Sequence, residues 1–188
     1  MNFNKHLELS GKHAFLSGSN YHWLNYSVDR LLTVFDNLKA KYRGTQLHAF
    51  AEQAIRLKMP LADTDDTVNM YTNDCIRNNM SPEVTLYYSP HAFGTADGIS
   101  FDEVTGKLSI YDLKTGKTPA SMKQLMIYAA FFCLEYGISP FDIPIELRIY
   151  QLGEVVTCEP DPEEIWNIMD LLIGFCDILG PTSEGVEA

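Results

Sequence analysis

Residues 94–117 read GTADGISFDEVTGKLSIYDLKTGK, and this stretch decides the expected fold of the chain. Before and after a short link at 102–106 that contains a glycine, the sequence fits a period of two, in which successive side chains face opposite sides of the chain. Such alternation predicts β-strands, and a short glycine-containing link predicts that the two strands form an antiparallel hairpin. The first strand is expected to place on one side Ala96, Gly98 and Ser100, and on the other Asp97, Ile99 and Phe101.

The predicted hairpin brings two carboxylates together. Asp97 on its first strand and Asp112 on its second are expected to be neighbours. Like charges at neighbouring positions repel, and a divalent cation or a shared proton usually compensates for them. Lys114 follows Asp112 by two residues and so faces the same side of the strand. The pattern indicates a metal site, and the alternative is an ordinary surface ion pair of Asp112 with Lys114.

Four motifs occur in a fixed order around this hairpin. G-T-x-x-H-x-x-x-E at 44–52 precedes G-x-x-D-G at 94–98, and D-x-K-T-G at 112–116 is followed by Q-x-x-x-Y at 124–128. In this order and spacing they resemble the RecB-like branch of the PD-(D/E)XK nuclease superfamily. The resemblance covers roughly residues 17–150. Within that branch the chain resembles stand-alone phage-type exonucleases related to the CRISPR-associated RecB-like nucleases.

The resemblance implies a fold and a metal site. The fold would be α/β, with a restriction-endonuclease-like core in which a mixed central sheet of about five strands is flanked by α-helices. The resemblance implies that Mg²⁺ or Mn²⁺ is held by His48, Asp97, Asp112 and the backbone carbonyl of Leu113. Metal coordination lowers the pKa of a bound water, and Lys114 would orient or deprotonate that nucleophile.

Other residues of the same motifs acquire roles by this resemblance. Glu52 lies one helical turn after His48 and would orient the imidazole or join the catalytic site. The alternative for this pair is a solvent-facing His/Glu pair on a helix. The DNA strand would be positioned by Gln124 and Tyr128 and contacted by Thr115 and Lys117. Structural packing explains Tyr128 as well as DNA contact does.

The expected function is that of a divalent-metal-dependent DNA nuclease. The resemblance implies an exonuclease that leaves 5'-phosphates and acts in phage DNA recombination, repair or processing. Its partners would be DNA ends or single strands, together with a homo-oligomer or a DNA-bound recombination partner. Two alternatives stay open, a catalytically inactive nuclease fold that binds DNA or assembles with partners, and a restriction-type endonuclease.

Length and composition predict one globular domain. The chain has 188 residues, of which 46% are hydrophobic and 12% aromatic, values typical of a folded domain. We expect a single domain over 1–180 and a frayed acidic tail at 181–188. Neither a membrane-spanning run nor a signal-peptide core is apparent. The protein is therefore expected to be soluble and cytoplasmic, in a bacterial host if it is encoded by a phage.

The cysteines argue against two kinds of site. Cys75, Cys133, Cys158 and Cys176 are widely spaced, and no C-x-x-C occurs. Zinc sites and disulfide frameworks need closer or patterned cysteines. Some RecB-like nucleases hold an iron-sulfur cluster with one upstream cysteine and three near the C-terminus, and that clustering is absent here. The expected cofactors therefore include no iron-sulfur cluster.

The charge of the chain is unusual for a protein that binds nucleic acid. The formal net charge is -11, and nine of the 25 acidic residues but none of the 14 Lys and Arg residues lie in 151–188. Most of the negative charge therefore lies outside the motif region. The basic residues expected near the site are Arg43, Lys107, Lys117 and Lys123.

Periodicity and breakers place the remaining elements. Helices are predicted at 16–24, 27–40, 45–57, 63–79, 119–136 and 162–179, and strands at 83–89, 143–152 and 154–159. Gly44 is expected to separate the second and third helices, and the acidic run at 63–66 to open the fourth. The second helix has apolar residues at helical spacing and is expected to be an amphipathic core helix. The fifth helix permits a crossover to a parallel strand. The last helix is expected to cover the sheet with Ile165, Met169, Leu172 and Phe175.

Overall fold

A computed structural model describes residues 14–180. The chain divides into two compact units, Met1–Arg43 and Gly44–Ala188. The acidic tail predicted at 181–188 lies outside the described residues. That 1–180 form a single domain stays a prediction.

The described part of the first unit is helical and has no buried residue. A 3-10 helix spans Tyr21–Asn25 and overlaps the second half of the helix predicted at 16–24. The indole Nε1 of Trp23, on this helix, donates to the Ser17 carbonyl at 3.0 Å. The prediction that 27–40 form a core helix is wrong in its burial, because Val28 and Leu32 are more than half exposed. The apolar spacing is present, but the described residues of this unit do not bury it.

Gly44 does not end a helix, which corrects the predicted break. Helix α1 runs without interruption over Val28–Arg56. A Cβ atom at Gly44 would lie 2.8 Å from Thr115 Oγ1, closer than packed atoms tolerate. Glycine inside a helix costs about 1 kcal/mol relative to alanine. At this position glycine allows α1 to approach the segment that carries Thr115 closely, and it does not end the helix.

The second unit is built on a five-stranded mixed sheet. Its strands are β1 (Ser81–Ser89), β2 (Ala92–Asp102), β3 (Lys107–Lys114), β4 (Ile145–Gln151) and β5 (Glu154–Cys158). They lie side by side in chain order, and only β3 and β4 are parallel. The predicted α/β class with a mixed central sheet, and the predicted hairpin of β2 with β3, are confirmed.

Three further helices complete this unit, α2 (Thr67–Arg77), α3 (Lys123–Tyr136) and α4 (Pro162–Leu179). Asp66 caps α2 by accepting hydrogen bonds from the backbone N–H of Val68 and of Asn69, as expected of the acidic run before it. α3 connects the parallel strands β3 and β4 as the predicted crossover. Among the described residues, no helix has the length and apolar character needed to cross a membrane.

The two sides of the sheet carry separate cores. One contains Leu108, Ile110, Leu147 and residues of α3 and α4, and the other contains Tyr111, Leu113, Tyr150 and residues of α1 and α2. Ala96 and Ile99 both lie in the first core, although strict alternation would place them on opposite sides. The strict alternation predicted for β2 is therefore wrong, because its phase changes between these residues, at Asp97.

Helix α4 contributes less to the core than its apolar stripe suggested. Ile165 is fully buried and Met169 nearly so, and Leu172 packs at the edge of the same core. Phe175 is 59% exposed, so its predicted place over the sheet is wrong. The helix packs mainly against α3, and in its last turns Cys176 still packs against the core, while Phe175, Ile178 and Leu179 are exposed.

Candidate metal centre

Three elements bring a histidine and two carboxylates to one point. His48 of α1, Glu83 of β1 and Asp97 of β2 each offer a ligand atom, and these atoms lie within 4.8 Å of one another. His48 Nδ1 is 3.5 Å from Asp97 Oδ2. Imidazole nitrogen and carboxylate oxygens together suit divalent ions such as Mn²⁺, and carboxylates suit Mg²⁺. The three side chains are half-buried, so a cation could reach them from solvent.

Glu83 is held in an unusual backbone conformation. Its φ is +52°, a region that L-residues other than Asn and Asp rarely occupy. The pairs on either side, Pro82 with Gly98 and Val84 with Ala96, place Glu83 opposite Asp97. Partial burial, and then the negative charge of Asp97, raise the pKa of the Glu83 carboxyl. Backbone strain and an unfavourable carboxylate pair at one spot are features that functional sites retain.

Asp97 sits where β2 separates from β3. The last paired residues of the two strands are Gly98 and Tyr111. Beyond them, the backbone N–H of Leu113 donates to Asp97 Oδ2 at 2.9 Å. A side chain thus takes the place of a strand partner, which fixes the carboxylate against β3. Leu113 joins the site through its N–H, and its carbonyl stays a predicted ligand.

Asp112 is the buried carboxylate of the site. Only 1% of its surface is exposed, and burial, followed by the charge of Asp97, raises its pKa. The Lys114 ammonium donates to Asp112 Oδ1 at 3.0 Å. It lies equally close to Oδ2, but outside hydrogen-bond geometry, so that Oδ2 is buried with no hydrogen-bond partner. A buried carboxylate oxygen without a donor is a group that a cation would satisfy.

A hydrogen-bonded chain continues from Asp112 to α3. Lys114 Nζ also donates to Gln124 Oε1 at 2.9 Å, and Gln124 Nε2 donates to Tyr128 Oη at 2.9 Å. Gly94 makes room for this tyrosine, because a Cβ there would lie 2.9 Å from the ring. The predicted proximity of Gln124 and Tyr128 to the D-x-K motif is therefore present.

The loop after β3 is held by a residue that the motifs did not indicate. Gln151 Nε2 donates to the carbonyls of Gly116 and Thr118, each at 2.7 Å. Its Oε1 accepts from the backbone N–H of Ala120 at 3.1 Å. Thr115 and Lys117 are exposed on this loop, where they are accessible to a ligand.

The structure thus assembles most of the predicted residues but changes the membership of the metal cluster. His48 and Asp97 belong to the cluster, and Asp112 with its partner Lys114 lies near enough for the charges of Asp97 and His48 to act on it. Asp112 is not one of the three clustered ligands, and neither is Glu52, whose carboxylate accepts from Arg56 Nε at 2.8 Å. Glu83 was missed. A carboxylate inside the β-rich run 81–89 was its only sequence signal, and strand periodicity alone does not reveal which residue lies opposite it.

Comparison of the chain with models of protein families, with curated proteins and with solved structures found no match.

Proposed function

We propose that this protein is a divalent-metal-dependent nuclease that hydrolyses phosphodiester bonds of DNA. One observation supports the proposal most. The three-ligand cluster of His48, Glu83 and Asp97 is joined through Asp97 to β3, which carries the buried Asp112 and its partner Lys114. A surface ion pair, the alternative for Asp112 and Lys114, would not require a carboxylate that is 1% exposed.

The residues present fit Mg²⁺ or Mn²⁺. A half-buried histidine and two half-buried carboxylates converge, and the buried Asp112 Oδ2 accepts no hydrogen bond, although it forms an ion pair with the Lys114 ammonium at 3.0 Å. His48, Glu83 and Asp97 would hold the ion, with Asp112 and the Leu113 carbonyl as further candidate ligands. When bound, such an ion polarises a phosphoryl oxygen and lowers the pKa of a coordinated water.

Lys114 has the position expected of the group that acts on the nucleophile. Its ammonium touches Asp112 and Gln124, so it stands between the buried carboxylate and helix α3. A cation there would stabilise the negative charge that develops on the phosphorus oxygens. Gln124 and Tyr128 would hold the ammonium and the DNA strand in register, and Thr115 and Lys117 would contact a neighbouring phosphate. By the motif resemblance, the products would carry 5'-phosphates.

The proposal is tested with purified full-length protein and end-labelled linear and circular DNA, in Mg²⁺, Mn²⁺ or EDTA. We expect cleavage with either metal and none in EDTA. Linear and circular substrates separate exonuclease from endonuclease action. If the protein binds DNA but cleaves none of these substrates with either metal, the nuclease assignment is wrong and the fold serves as a binding or assembly module.

A further inference from the structure

Strands β1 and β2 continue past the candidate metal centre as an exposed pair. Thr85 lies opposite Thr95, and Tyr87 lies opposite Phe93. These pairs are two and four residues from Glu83 along β1, and equally far from Asp97 along β2. At a strand rise of about 3.4 Å per residue, the aromatic pair is ~14 Å from the metal ligands.

One side of these strands is buried and the other is open. Leu86, Ala92 and Ala96 belong to the core that includes α3. On the opposite side both threonines are exposed, and their hydroxyls are 3.0 Å apart. Tyr87 is 49% and Phe93 59% exposed. The open side therefore presents two hydroxyls and then two aromatic rings, leading away from the cluster.

The two rings are nearly parallel to each other. The centroids of Tyr87 and Phe93 are 6.4 Å apart, and the ring planes meet at 26°. β1 is an edge strand, and the Tyr87 N–H is capped by Glu135 Oε2 at 2.8 Å, which discourages another strand from pairing there. An exposed aromatic pair next to a capped position of the strand edge indicates a ligand with flat apolar faces.

We propose that Tyr87 and Phe93 are a stacking platform for unpaired bases, and that the substrate is therefore single-stranded DNA or a frayed end. This inference rests on the proposed nuclease function, because it places the strand on the surface that leads to the same metal centre. The threonine pair lies between platform and cluster, where its hydroxyls can donate to a phosphate or sugar oxygen.

The charge of the protein favours this mode of binding over phosphate attraction. Proteins that hold single strands without sequence preference combine basic grooves with aromatic stacking. This chain has a net charge of -11, and the residue that caps Tyr87 is itself acidic. Stacking does not require positive charge. The bases of an intact duplex are already stacked on one another, so exposed rings that bind by stacking discriminate against it.

The test measures binding of a fluorescent oligothymidylate to the full chain in EDTA, where metal-dependent cleavage cannot remove the probe. Base–aromatic stacking contributes enough that we expect Tyr87→Ala and Phe93→Ala each to weaken binding about 10-fold. Tyr87→Phe and Phe93→Tyr keep a ring and should bind like the unmodified protein. Phe141→Ala is the matched control, because Phe141 is also 59% exposed and packs with Trp166. A 2-aminopurine probe should lose fluorescence on binding, and less so with the alanine variants.

Two results would overturn the platform. One is equal oligonucleotide affinity for the alanine variants and the Phe141→Ala control. The other is loss of self-association in Phe93→Ala with unchanged oligonucleotide binding, which would make this face an interface between two copies. Cleavage in Mn²⁺, measured on the same preparations, separates the two hypotheses. Ring-dependent binding without cleavage supports the platform and refutes the nuclease, whereas cleavage with ring-independent binding refutes the platform alone.

Discussion

The carboxylate of Asp97 has three neighbours that explain the geometry of the centre. It accepts from the Leu113 N–H, lies 3.5 Å from the His48 imidazole and clusters with Glu83. The motif residues His48, Asp97, Asp112 and Lys114 could be found from sequence because their spacing is local to a helix or a hairpin. Glu83 could not, because its role depends on the register between two strands and on a positive φ that no residue type signals here.

Metal binding should depend on Glu83 more than on Glu52. The structure places only Glu83 in the cluster, whereas Glu52 accepts from Arg56. We expect Glu83→Gln to weaken Mn²⁺ binding at least about 10-fold, because removal of even a supporting group costs 10- to 100-fold. Glu52→Gln should change it little.

Isothermal titration calorimetry of both variants gives the comparison. Equal affinities, or a larger loss for Glu52→Gln, would restore the assignment made from the helix motif. Thermal unfolding in EDTA controls for misfolding. Without metal, the unfolding temperatures of the variants contain no stabilisation by a bound ligand and therefore report on the fold alone.

Cleavage should depend on Lys114 while metal binding does not. An ammonium cannot ligate a cation, but it can act on the water and on the developing charge. We expect Lys114→Ala to reduce the rate of cleavage by about 100-fold or more, with Mn²⁺ affinity preserved. Lys117→Ala, in the exposed loop nearby, should reduce it far less. Gel-based cleavage rates at saturating Mn²⁺ decide the point, and near-native activity of Lys114→Ala would contradict the assigned role.

At the scale of elements, the sequence predicted which segments are helices and strands more accurately than it predicted which of their side chains are buried. Helix α4 begins at Pro162 and ends at Leu179 as the 162–179 pattern predicted, because a proline-containing start and a continuous stripe are local signals. The order of the five strands also followed from local hairpins and one helical crossover. Burial was mispredicted for 27–40 and for Phe175, since a stripe indicates which face is apolar but not whether another element reaches it.

The difference between an apolar stripe and actual burial can be measured along α4. Ile165 is fully buried and Ile178 is 81% exposed on the same helix. Truncating a buried isoleucine leaves a cavity, so Ile165→Ala should lower the free energy of unfolding by about 2 to 5 kcal/mol. Ile178→Ala should change it by no more than about 0.5 kcal/mol. Urea denaturation of both variants provides the comparison, and similar losses would mean that the end of α4 is buried.

A polar network under the sheet should make stability depend on pH. Glu146 accepts from Tyr111 Oη and Lys107 Nζ, each at 3.0 Å, and pairs with Arg148 at 2.9 Å. Burial alone would raise the pKa of Glu146, but these donors and charges outweigh it and lower the pKa. The folded protein therefore gives up this proton at lower pH than the unfolded chain does. The stabilisation is complete above the usual value of 4.5 and is lost as pH falls through the folded pKa.

Glu146→Gln should accordingly reduce stability by about 1 to 3 kcal/mol near neutral pH. The difference from the unmodified protein should shrink as the pH falls below the usual glutamate value of 4.5. Glu103→Gln, in the exposed turn between β2 and β3, serves as the control. A destabilisation that is independent of pH would mean that the network acts through packing and not through charge.

At the scale of the whole molecule, charge limits how DNA can be held. Of the basic residues expected near the site, Lys107 is bound by Glu146, while Lys117 and Lys123 are exposed. Lys114 is engaged by Asp112. Few ammonium groups of the described second unit are therefore available to replace counterions, and a net charge of -11 opposes approach of the polyanion.

The salt dependence of binding should consequently be shallow. If about three or four phosphates are neutralised, the logarithm of the binding constant should fall with the logarithm of salt concentration with a slope of about -3 for a duplex and nearer -2 to -3 for a single strand. Because phosphate contacts are few, retention should depend on unpaired ends, and linear DNA with frayed ends should be degraded faster than closed circles. Anisotropy titrations across salt concentrations, with cleavage of linear and closed circular DNA in parallel, test both expectations. A slope several times steeper, with equal cleavage of closed circles, would mean that the protein binds DNA through a basic surface that these contacts do not include.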